Sequence, residues 1–137
     1  MQVYDLRGRL PDVKRDMDLI RELLLKIEEN PEMDGTREFY LEAPSDLGIS
    51  GHSTEEVAYH LALLINAGFV DGAVTIANPM QVVRCLTWNG HEFMDNIRSD
   101  TFWEKAKTHF AALPSVGLTV VAAWIEGEIK KHFGIAS

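Results

Sequence analysis

The stretch His52–Val70, HSTEEVAYHLALLINAGFV, constrains the fold of this chain more than any other. Ser53 and Glu56 stand at the spacing of a capping box, in which each side chain bonds the other's backbone N–H, so a helix starts just after Ser53. Val57, Leu61, Leu64 and Ile65 recur at helical spacing and form its core face. Gly68 supplies the residue that stops it. The opposite side then carries Glu55, Glu56, Tyr59, His60, Leu63 and Asn66, and the stretch holds four His or Glu residues but no Lys or Arg. His60 reads equally as a buried imidazole bonded to a backbone carbonyl of the sheet. The apolar face demands partners before and after it in the chain. The acidic face restricts what the helix can meet on its outer side.

The partners are legible on both sides. Leu19, Ile20, Leu23, Leu24 and Ile27 form one stripe of a helix predicted from about Asp12 to Asn30, with Pro11 and Asp12 suited to its start and NPEMDG as its stop. Arg37–Glu42, REFYLE, reads as a short strand, and Ala43–Gly51 is turn-rich with room for one helical turn at most. Val74–Ala77 and Val82–Leu86 are β-branched runs about NPMQ, where Pro79 pre-sets a turn, so a hairpin is predicted. Thr87 caps a helix whose buried face is Phe93, Met94 and Ile97. RSDT at Arg98–Thr101 breaks or bends it, and Trp103, Ala106, Phe110 and Leu113 continue as a second stripe to Pro114. A last helix runs from about Gly117 to Phe133. Leu118, Val121, Ala122, Ile125, Ile129 and Phe133 lie on one side, Lys130, Lys131 and His132 suit its negative end, and Gly134 follows as the cap. Its Val121–Ile125 run is apolar almost all round, including Trp124, so it packs on more than one side, and it is the natural cover for the outer face of the central helix.

Helix, strand, helix, two-stranded hairpin, helix is the order of a winged helix-turn-helix. YHLALLINAGFV resembles the winged-helix pattern that leads into the wing, and RCLTWNGHEFMDNI resembles the exit from it. The expected fold is therefore α+β and mostly helical. Residues 1–13 form an N-terminal extension in which Val3, Tyr4 and Leu6 are placed to dock on the body. Residues 14–98 form a winged-helix-like core with a small antiparallel sheet, and residues 99–137 a C-terminal helical extension, all in one compact domain.

Three stretches also resemble one bacterial family, the domain of unknown function twenty-five-thirteen: KRDMDLIRELLLKIEENP at Lys14–Pro31, YHLALLINAGFV at Tyr59–Val70, and LTWNGHEFMDNIRSDTFWEKAK at Leu86–Lys107. The resemblance spans about Lys14 to the C-terminus and implies that residues 1–13 are an addition. It further implies a phage, prophage or other mobile-element context, and it brings no catalytic residues with it.

Composition narrows the function classes. At 46% hydrophobic and 25% charged, 137 residues can bury a real core. Cys85 is the single cysteine, which excludes an intramolecular disulfide and fits the cytoplasm. The N-terminus lacks the apolar run of a signal peptide, and the longest apolar run, Val120–Ile125, is far short of the roughly 20 residues of a membrane span. A soluble cytoplasmic protein is expected. HEFMD at His91–Asp95 departs from the zinc-protease pattern at the position of its second histidine, so no metal ligands are assigned. No Ser or Cys nucleophile motif and no phosphate loop is present, Cys85 reads as a small core residue, and neither a catalytic residue nor a cofactor is expected. Trp88 and Trp103 suit interface anchors by residue type, but their helical phase places them first in core or semi-core positions.

Charge then bears on the winged-helix expectation. The net charge is −8, and from Glu38 to Val83 there are 46 consecutive residues without Lys or Arg. Six acids fall in that window: Glu38, Glu42, Asp46, Glu55, Glu56 and Asp71. Affinity for DNA rests on cations that neutralise phosphates, and here the groove-entering helix opens with two acids. The cations placed to help are Lys14, Arg15, Arg21 and Arg84, with Arg7 and Arg9 beyond. The expected role is thus a non-enzymatic contact surface for a protein partner or a second copy, through the outer face of the central helix or the C-terminal helix. A DNA-binding regulator is the alternative, and a metal-dependent hydrolase a more distant one.

Overall fold

A computed structural model of the chain describes residues 14–113 and 115–134. The first element, α1 (Met17–Glu29), begins where the Asp16 side chain accepts the Leu19 N–H, one turn later than the sequence predicts. The expected start at Pro11–Asp12 and the docking of Val3, Tyr4 and Leu6 lie outside the described residues. All five stripe residues of α1 are buried. A strand and a turn follow the pattern with shorter bounds: β1 is only Phe39–Tyr40, and Pro44–Leu47 is a single 3-10 turn. The central helix α2 (Thr54–Asn66) carries the capping box, with Ser53 Oγ accepting the Glu56 N–H at 3.1 Å and Glu56 Oε1 accepting the Ser53 N–H at 3.1 Å. It ends before Gly68, whose φ of 84° is the left-handed conformation that favours glycine.

The hairpin is displaced from its predicted place. Its strands are β2 (Val70–Ala73) and β3 (Val82–Leu86), and Val74–Ala77 lies in the connection. Burial, rather than β-propensity, sets the strand: Phe69 and Val70 are in the core, whereas Val74 and Ile76 face solvent. β3 is central, antiparallel to β1 on one side and β2 on the other. Its register with β2 shifts between Asp71 and Gly72, leaving Arg84 without an opposite residue.

The three remaining helices are α3 (Trp88–Ile97), α4 (Asp100–Phe110) and α5 (Leu118–His132). RSDT is a true break. α3 meets the sheet through Gly90, where an added Cβ would sit 2.0 Å from the Phe69 carbonyl oxygen. Trp103 is completely buried, and one apolar core runs from Leu19 of α1 through α2, the sheet, α3 and α4 to Ile125 of α5. The predicted stripes overreach at their ends. Leu113, past the end of α4, and Phe133, past the last turn of α5, are exposed, and Pro114 lies outside the described residues. Trp88 is corrected more sharply: it is 78% exposed, because Gly90, Phe93, Met94 and Ile97 already turn the opposite side of α3 inward.

Candidate interaction surface

The outer face of α2 is only partly open. Glu55, Glu56, Tyr59 and Leu63 are half-buried, and Asn66 is exposed. Tyr59, Leu63 and Asn66 line a groove of about 430 Å³ whose far wall is the Ser115–Thr119 turn and whose end is Arg15. The Arg15 guanidinium donates to the Val116 carbonyl and so ties the chain before α1 to that turn. The predicted cover of α2 by the C-terminal helix is thus confined to its entry turn, while the body of α5 packs on α3 and α4.

His60 does not belong to this surface. It is wholly buried: Nδ1 donates to the Glu56 carbonyl at 2.7 Å and Nε2 accepts the Asp16 N–H at 2.7 Å. Burial holds its pKa below the usual value, against the pull of the Asp16 and Glu56 carboxylates, while His52 also lowers it. Glu56 is fixed at the helix start. The Ser53 backbone N–H first, then the His52 imidazole at 3.2 Å, hold its carboxyl below the usual range.

The four candidate cations fare differently from one another. Lys14 is exposed. Arg21 bonds Asp100 at 2.8 Å and the Arg98 carbonyl at 2.9 Å, and it lies over the Trp103 ring. Arg84 bonds Asp71 across the sheet at 3.2 Å and also the Gly35 carbonyl. With Arg15 on Val116, three of the four are committed within the fold. Arg15 borders the α2 groove, whereas Arg21 pairs with α4 and Arg84 with β2.

The connection between β2 and β3, where a wing would project, is tied back. Gln81 is buried, with Nε2 donating to the Ala58 carbonyl of α2 at 3.0 Å and Oε1 accepting the Thr75 N–H at 2.8 Å. Met80 is buried too, and its N–H donates to Leu41.

The HEFMD residues are spread by the helix: His91 approaches Glu28 at 3.8 Å, and Asp95 accepts from Arg98. Among the described residues no three His, Cys, Asp or Glu side chains gather as a metal set. No helix among them is long and apolar enough to cross a membrane.

A family model described as "Hypothetical protein (DUF2513)" matches residues 14–117. The chain belongs to this family. The match starts at Lys14, as the sequence motifs indicate, but stops at the entry to α5 rather than reaching the C-terminus. A relative from Haemophilus influenzae, described as an uncharacterised protein, is 41% identical over 98 residues, covering 70% of this chain and 77% of the relative. No solved structure matches the chain.

Of the two tryptophans weighed as interface anchors, Trp88 is the one at the surface. Trp88 stands on the outer side of α3 with its indole N–H donated to Glu92 at 2.9 Å. Its angular separation from the Phe93 stripe was the available signal.

Proposed function

We propose that this family member is a non-enzymatic interaction factor, acting in the cytoplasm in association with a phage or other mobile element. Its winged-helix-like scaffold presents a protein-contact surface instead of a DNA-reading one. The observation that carries the reading is the placement of charge. The 46 residues from Glu38 to Val83 hold no Lys or Arg, and Arg15, Arg21 and Arg84 spend their guanidiniums on partners within the chain. A phosphate backbone would meet Glu55 and Glu56 at the start of α2, a helix that carries no Lys or Arg of its own. The 3-10 turn at Pro44–Leu47 stands where a helix-turn-helix needs its first helix, and Gln81 holds the would-be wing against α2. The groove beside Tyr59, Leu63 and Asn66 gives a protein partner apolar area with polar edges, the usual anatomy of a contact.

Duplex titration across a salt series tests this directly. Little binding is expected at physiological salt. Tight binding that falls steeply with salt and is lost in Lys14→Ala, Arg15→Ala and Arg84→Ala would establish the DNA-binding regulator instead. In parallel, Leu63→Arg is expected to abolish recovery of a host or phage protein, or self-association in sedimentation, while leaving the far-ultraviolet spectrum unchanged.

A further inference from the structure

A second groove, about 240 Å³ in volume, runs between α3 and α5. Its floor is apolar, formed by Phe69, Phe93 and Ala122. Its charged groups are Glu92 from the α3 wall and Glu126 from the α5 wall, and among its described lining residues no cation faces them. Asn89 and Asn96 add amide groups along α3. Beyond the rim stands Trp88, 78% exposed, its indole pinned by the 2.9 Å bond to the same Glu92 carboxylate. Glu126 also meets Lys130, one turn along α5, at 3.2 Å, an exposed pair of the weak kind that exchanges partners readily.

We propose that this groove docks an arginine side chain of a partner protein, and that Glu92, Glu126 and Trp88 are its recognition residues. The inference deepens the protein-contact reading above and rests on it for the class of occupant. The volume suits one long side chain better than a helix. An arginine stem lies on apolar surface while its planar head seeks carboxylates. Glu92 and Glu126 supply those carboxylates from opposite walls, and an indole already held beside one of them offers a face for the guanidinium to stack on. An exposed tryptophan is otherwise costly for a soluble surface and is enriched where partners dock. The chain's net charge of −8 steers a basic segment toward such a groove.

The full chain, labelled with nitrogen-15, is titrated with a short blocked Ala-Gly peptide carrying one central Arg. Counterparts with Gln or Glu at that position, and free arginine, are titrated alongside. Shifts are expected at the Trp88 indole N–H, Asn89, Asn96 and Ala123 with the Arg peptide. They should weaken by several-fold for the Gln peptide and in the Glu92→Gln/Glu126→Gln double variant, as two solvent-accessible carboxylates acting together predict. Trp88→Ala tests the stacking by itself, with circular dichroism confirming that each variant folds. Equal response to the Gln or Glu peptide, or an undiminished response in the double variant, overturns the proposal. So does free arginine binding as well as the peptide, which would make the groove a small-molecule site. Shifts that gather at Tyr59–Asn66 instead overturn it while leaving the α2 contact reading intact. Duplex binding in the salt series overturns that reading and not the groove.

Discussion

The backbone N–H of Asp16 donates to Nε2 of His60 at 2.7 Å, which fixes the imidazole as the neutral Nδ1–H tautomer because Nδ1 already donates to the Glu56 carbonyl. One buried ring thereby joins the start of α1 to the middle of α2. An imidazolium there would turn an N–H toward the Asp16 N–H, donor against donor.

Stability should accordingly depend on pH through His60. Its folded pKa is lowered, chiefly by burial, so the unfolded chain takes up the proton first as pH falls. The stabilisation is complete above the unfolded value of about 6.5 and is lost progressively below it, down to the folded value, at up to roughly 1.4 kcal/mol per pH unit for one proton. Denaturant melts of the wild type and His60→Gln between about pH 7.5 and 5 check this, and the variant should show the flatter profile in that window. Parallel profiles would sink the assignment.

Gly90 and Gly127 should respond oppositely to the same change. At Gly90 a methyl group meets the Phe69 carbonyl oxygen, which itself accepts the Thr87 N–H at 3.1 Å, so α3 and the sheet must separate. Gly90→Ala is expected to cost about 3 kcal/mol or more, at the upper end for overpacking. Gly127 lies within α5 with nothing within 4 Å of a built Cβ, and Gly127→Ala should stabilise by about 0.5–1 kcal/mol through a less disordered unfolded state and better helix propensity. Thermal melts decide both.

How much of this was legible follows from which residues carry two signals. Ser53 and Glu56 encode the start of α2 in their own spacing, and the structure returns that capping box bond for bond. Leu19 to Ile27 encode the α1 stripe in the same way. The hairpin slipped because Val74–Ala77 has the composition of a strand, while the choice between it and Val70–Ala73 depends on which residues reach the core. That is a tertiary fact. His60 reads equally as a surface contact and as a buried imidazole on a sheet carbonyl; the structure buries it, but on the Glu56 carbonyl of α2, and only the chain before α1, distant in sequence, closes over it. The committed guanidiniums of Arg15, Arg21 and Arg84 were equally out of reach, since each acceptor lies elsewhere in the chain.

Gln81 should govern the connection between β2 and β3 without governing the fold. Gln81→Ala leaves the Thr75 N–H and the Ala58 carbonyl without their side-chain partners, a loss of about 1–3 kcal/mol where the groups stay shielded. The expected signature is faster cleavage within Val74–Met80 under limited proteolysis, with α-helical content unchanged. A cleavage rate equal to wild type would mean that Met80 and Asn78, on Leu41, suffice to hold the segment.

Trp103 and Asp18 make the last prediction, because one bond sets both packing and charge. The indole N–H of the buried Trp103 donates to Asp18 Oδ1 at 2.8 Å, and Lys107 Nζ reaches the two carboxylate oxygens at 3.0 and 3.1 Å. The Trp103 hydrogen bond first, with Lys107 and Arg21 adding to it, holds the Asp18 carboxyl below the usual range. A carboxylate favoured in the fold stabilises above its unfolded pKa, and the benefit disappears as pH falls through the folded one. Trp103→Phe keeps an aromatic in the core but removes the donor. The Asp18 carboxyl, followed by carbon-13 resonance, should therefore titrate closer to its ordinary value. The same variant should lose about 1–3 kcal/mol for the missing bond and the partial void, against roughly 3–5 kcal/mol for Trp103→Ala. If Asp18 titrates as before in Trp103→Phe, Lys107 rather than the indole sets its acidity, and the docking of α4 on α1 owes nothing specific to that bond.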